Sequence, residues 1–101
     1  MKAFLINPEQ RSIEVIDVAA REDIAAIIGF DTIESDAVGT GSDRLFFDEE
    51  CFLRGTGGRF QVDTLIPISG RAVVVGVAGD GATLCDVAVD LDSLRSRIKY
   101  V

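Results

Sequence analysis

The chain of 101 residues contains no histidine. Without imidazole there is no Ser-His or Cys-His nucleophilic pair and no His-ligated metal, which leaves only carboxylate, Lys or Arg chemistry. Cysteine is scarce as well. Cys51 and Cys85 lie far apart inside apolar segments, so they read as two reduced core thiols rather than a disulfide, and no zinc spacing exists. Neither a cofactor nor a metal is expected. Long apolar runs are missing: none approaches the roughly 20 residues that span a bilayer, and the apolar start from Met1 to Ile6 stops at Asn7-Pro8, too soon for a signal peptide. A cytoplasmic protein with no membrane partner is the expectation. Basic residues are also in deficit, 10 against 17 acids for a net charge of −7. That balance argues against direct binding of nucleic acid, whose phosphate backbone needs a basic surface.

What is present fits an ordinary folded domain. Apolar residues make up 48% and charged residues 27%, which excludes wholesale disorder, and a chain of this length buries about two-thirds of its unfolded surface in one core. The organising stretch runs from Pro67 to Val89. Ala72 to Ala78 is a β-branched run apolar on both faces, Gly79-Asp80-Gly81 is a turn, and Thr83 to Val89 is the return, together a central hairpin. Val73, Val75 and Val77 make one face bulky; Ala72, Gly76 and Ala78, interrupted by Val74, make the other mostly small. A small face admits another backbone, a helix or a ligand at close range.

Around this hairpin the spacing predicts strands over 2–6 and 12–18 joined at Asn7-Pro8, then a helix from Arg21 to Ile28 stopped by Gly29. An edge strand over 30–38, a strand over 44–48, a third apolar piece at Cys51-Phe52-Leu53 and a strand over 59–62 follow. Asp90 or Asp92 caps a last helix, with Leu91, Leu94 and Ile98 on one face, and Tyr100-Val101 can form a tail that packs or pairs with a partner chain. The predicted class is α+β: one domain, a mostly antiparallel sheet and two short helices.

Charge is unevenly placed. Residues 1–50 hold 12 acids and 4 bases, giving −8, and residues 51–101 hold 5 acids and 6 bases, giving +1. Within this acidic half, Asp36, Asp43, Asp48, Glu49 and Glu50 are candidates for meeting a basic protein surface, although solubility alone also explains acidic surfaces. Three consecutive carboxylates at 48–50 diverge at a turn and do not make a cation site. The Gly-rich run after Arg54 lacks the Lys-Ser/Thr of a phosphate loop and reads as a hairpin loop. Arg71, behind Gly70 at the mouth of the central strand, needs an acidic partner or an anionic ligand if it points inward, and is otherwise an exposed strand end. Gly70, Arg71 and Gly76 therefore form the alternative, ligand-binding set.

Several segments carry a resemblance: Met1 to Pro8, Ile27 to Ile33, Arg44 to Glu50, Pro67 with Gly70 to Gly76, and Leu91 to Arg95. In order and spacing they resemble a family of small uncharacterised proteins of bacteria, bacteriophages and integrated mobile elements. The resemblance implies a compact α+β fold and a bacterial or phage setting, and carries over no activity and no catalytic residue.

Three functions stay open. One is a non-enzymatic protein-binding module, as a monomer or a homodimer, that uses the acidic segment or an exposed sheet edge. Another is a small-molecule or nucleotide-binding protein that uses the Gly70-Arg71 end of the central hairpin. The third is a small carboxylate-dependent enzyme.

Overall fold

A computed structural model describes residues 1–39, 41–53, 58–63, 65 and 67–101. The first hairpin forms as expected, with β1 (Lys2–Asn7) antiparallel to β2 (Ser12–Asp17). Helix α1 (Arg21–Ile28) follows with the expected bounds. At its start the Asp23 carboxylate accepts the amides of Ala19 and Ala20 at 2.8 and 3.1 Å, and these bonds hold that carboxyl below its usual range. At its end Gly29 turns left-handed at φ 96°, a conformation that suits glycine.

The chain then forms β3 (Ile33–Ala37), β4 (Asp43–Asp48), a short 3₁₀ turn (Cys51–Leu53), β5 (Arg59–Val62) and β6 (Ile68–Ser69). It closes with β7 (Ala72–Val77), β8 (Leu84–Cys85), α2 (Leu91–Arg97) and β9 (Ile98–Tyr100). Two sheets result, in the orders β2-β1-β7-β4-β3 and β6-β5-β9, and every pairing among the described residues is antiparallel. β8 continues the β1 side of β7 beyond the end of β1. The protein is α+β, as its composition and periodicity predict.

β7 is central and buried along its whole length. Its bulky face (Val73, Val75, Val77) packs with Ile24 and Ile28 of α1. Ala72 and Val74 on the small face meet Phe60, Val62 and Ile68 of the second sheet together with Leu94 of α2. The asymmetry of the strand thus sorts two layers, a helix against long side chains and a sheet against short ones. Periodicity predicts Phe4, Ile6, Ile24, Ile27, Phe46, Val73, Val75, Val77, Val87 and Leu94 in the core, and of these Ile27 alone is half-buried rather than buried. No helix among the described residues is long and apolar enough to cross a membrane.

Three local expectations need correction. Cys51-Phe52-Leu53 is a turn and not a strand, with Cys51 inside and the other two side chains exposed. The return of the central hairpin pairs only at Leu84 and Cys85. Beyond it the amides of Ala88 and Val89 are taken by the Asp43 carboxylate, so no ladder is needed there. Ile98 leaves the helix and pairs with Val62, because the alternating Ile98-Lys99-Tyr100 fits the open edge of β5. Its strand partner is this same chain, so the expected tail is part of the fold. The Gly-rich loop after Arg54, apart from Gly58, lies outside the described residues.

Candidate functional site

The second sheet hands the chain to the first within two residues. Ser69 ends β6, Gly70 adopts φ 84°, and Arg71 precedes β7. The Gly70 amide and the Ser69 hydroxyl both donate to the Gly58 carbonyl, at 3.3 and 3.4 Å. Gly58 itself, at φ 80°, lies so close to the Pro8-Glu9 turn that an added Cβ would sit 2.6 Å from the Glu9 nitrogen. These contacts gather the β1–β2 turn, the β6–β7 crossing and the C-terminal end of α1 around a cleft of about 380 Å³.

Its walls mix chemistry. Asn7, Glu9 and Gln10 come from the first turn, Ile28 and Phe30 give an apolar side, Asp48 and Cys51 lie beneath, and Arg71 stands at the crossing. Arg71 is exposed, in phase with Val73 and Val75, and its Nη1 donates to the Ile27 carbonyl at 3.3 Å. A cation at the last turn of a helix complements the partial negative charge there. Among the described residues neither Arg71 nor Glu9 makes an ion pair. The guanidinium is therefore steered by a neutral carbonyl rather than consumed by a carboxylate.

The structure divides the alternative set. Gly70 and Arg71 line this cleft, but Gly76 does not: a Cβ there would lie 2.5 Å from the Asp86 carbonyl oxygen and 2.8 Å from the Cys85 sulfur. Gly76 lets the neighbouring strand come close and leaves no room for a ligand.

The acidic set is divided as well. Asp43 is 4% exposed and Asp48 3%, so neither belongs to a charged surface. Asp43 accepts the Ala88 and Val89 amides at 2.8 Å each. Asp48 accepts the Thr32 hydroxyl and, at 3.1 Å, the Glu50 amide. Both were expected to present charge to a partner; both instead are buried and accept hydrogen bonds from their own chain. Asp36 is half-buried on the edge strand β3, and only Glu49 and Glu50 of the five are exposed.

Both cysteines are free, and no cluster of three metal-ligating side chains occurs among the described residues. Reading the sequence missed Asn7, Glu9, Phe30 and Gly58 at this site. Asn7-Pro8 signals a turn, yet nothing in that signal says the turn folds against a glycine about 50 positions on. Comparison with family models, with curated proteins and with solved structures gives no match for this chain.

Proposed function

We propose that the protein binds a small polar molecule in the Arg71 cleft, as a binding module rather than an enzyme. The observation that carries this reading is the convergence of four separate segments on a cleft whose guanidinium is held in place and makes no ion pair among the described residues. The ligand it fits has an anionic group for Arg71, hydrogen-bond donors for Asn7 and Glu9, and an apolar part against Ile28 and Phe30. Of the five segments through which the chain resembles the bacterial and phage proteins, four contribute lining residues, namely Asn7, Ile28 to Phe30, Asp48, and Gly70 with Arg71. A bacterial or phage setting, which that resemblance implies, is part of the same proposal.

A panel of small carboxylates and phosphate esters, screened by thermal unfolding, tests the reading. A true ligand at 100 times its Kd adds about 2.7 kcal/mol of stability. Arg71→Gln should weaken it about tenfold to a hundredfold, since one charge-assisted pair is lost. Equal stabilisation of wild type and variant by every active compound would remove Arg71 from the site.

The acidic segment keeps a second, narrower reading. Glu49 and Glu50 adjoin Phe52 and Leu53, which are 50% and 83% exposed, and this acidic and apolar tip is suited to a basic protein surface with an apolar recess. If a host protein binds here, its association rate should fall with added salt, and should fall less for the double variant Glu49→Gln, Glu50→Gln. Unchanged rates and salt dependence in that variant would leave the tip as plain surface.

A further inference from the structure

Helix α1 is short and covers only part of the bulky face of the first sheet. Beyond its N-terminal end, between β3, β4 and the turn after β7, lies a second cleft of about 190 Å³. Two arginines from different elements line it. Arg21, the first residue of α1, stands over the Phe46 ring with its guanidinium carbon 5.8 Å from the centroid, and donates from Nη2 to the Ile33 carbonyl at 3.1 Å. Arg44, on β4, donates from Nε to the Ser35 hydroxyl at 2.8 Å and from Nη2 to the Ser35 carbonyl at 2.9 Å. The edge strand β3 thus orients both guanidiniums through neutral oxygens.

Each guanidinium carries five N–H donors, of which Arg21 commits one and Arg44 two. Among the described residues no carboxylate lines the cleft and neither arginine forms an ion pair. The nearby acids are turned elsewhere. Asp36 pairs with Leu45 and Asp43 with Gly76, in phase with the opposite face of the sheet, and the Asp80 carboxylate is taken up by Ala82, Thr83 and the Thr83 hydroxyl. Phe46, Val77 and Leu84 supply an apolar wall. In a chain with a net charge of −7, two positive side chains share a concavity that has no acid among the described residues of its lining.

From this geometry we infer that the Arg21–Arg44 cleft is an oxyanion site, separate from the Arg71 cleft, which takes a phosphate-type dianion. Two planar forks with donors to spare match the oxygens of such a group. The apolar wall receives a small organic substituent if the phosphate is an ester.

Amide-resolved NMR titration with sodium phosphate, against sodium chloride at matched ionic strength, tests this site. Saturable shifts are expected at Ser35, Arg44, Ala82 and Leu84. Arg21→Gln and Arg44→Gln should each weaken binding about tenfold or more, while the shifts at these four residues stay the same in Arg71→Gln. Arg21 is exposed, so its variant keeps the test valid even if Arg44→Gln loosens the sheet. Phenyl phosphate binding several times tighter than inorganic phosphate identifies an organic ester as the ligand; equal affinity identifies the free anion. Shifts no larger than those in chloride, or shifts that persist in both arginine variants, would overturn the assignment.

Discussion

Asp43→Ala is expected to lower the free energy of unfolding by about 2 to 5 kcal/mol, read by urea denaturation. The carboxylate is buried and takes two backbone amides, Ala88 and Val89, at 2.8 Å each. Removing it takes the acceptor from both amides and leaves a void where the buried carboxylate stood, and a lost hydrogen bond to a charged group costs about 1.5 to 3 kcal/mol. Asp43→Asn should cost less, because its carbonyl oxygen can keep one of the two amides while its NH₂ opposes the other. A loss below about 0.5 kcal/mol for the alanine variant, the size expected of an ordinary surface change, would contradict the role given to this side chain.

Gly76→Ala is the second large effect, expected at about 2 to 4 kcal/mol. Its Cβ would sit 2.5 Å from the Asp86 carbonyl oxygen, 2.8 Å from the Cys85 sulfur and 3.0 Å from the Cys85 carbonyl oxygen. Two of those three atoms are backbone, so relief requires the β8 strand to move away from β7 at the Gly76–Cys85 pairing, and overpacking of this kind typically costs 1 to 3 kcal/mol, occasionally more, on the order of the value expected here. Gly79→Ala is the matched control, since a Cβ at Gly79 meets nothing within 4 Å. Equal thermal stability of the two variants would show that the strands are not packed as described.

Periodicity told most where burial is one-sided or complete. The full burial of β7 was legible in its unbroken apolar run, and α1 in its isoleucines with Glu22 and Asp23 before them and Gly29 after. Where apolar residues were buried by something other than their own element type, pattern failed. Ile98 continues a helical stripe and an alternating strand equally well, and only the free edge of β5 decides between them. Val87 and Val89 alternate as a strand does, yet the Val87 amide donates to the Lys2 carbonyl and those of Ala88 and Val89 to the Asp43 carboxylate, so no β8 ladder forms there.

The candidate site was partly visible. Gly70 and Arg71 stood out because an arginine behind a glycine at the mouth of a strand needs an anion if it points inward; the structure gives Gly70 a φ of 84° and leaves Arg71 exposed, with its Nη1 on the Ile27 carbonyl. The acidic run misled for the opposite reason. Formal charge counts Asp43 and Asp48 with Glu49 and Glu50, and a count cannot tell a carboxylate that holds amides from one that faces water. The Arg21–Arg44 cleft was hidden too, since it depends on β3 lying at the sheet edge and on α1 stopping short of covering β4.

The most direct test of the Arg71 cleft is an amide-resolved NMR titration with whichever small carboxylate or phosphate ester most raises the melting temperature. The expected result is saturable shifts centred on Asn7, Gln10, Gly29, Gly70 and Arg71, abolished by Arg71→Gln and retained in Arg44→Gln. Shifts confined to the acidic tip at 49–53 or to the Arg21–Arg44 cleft, with the Arg71 cleft silent, would contradict it.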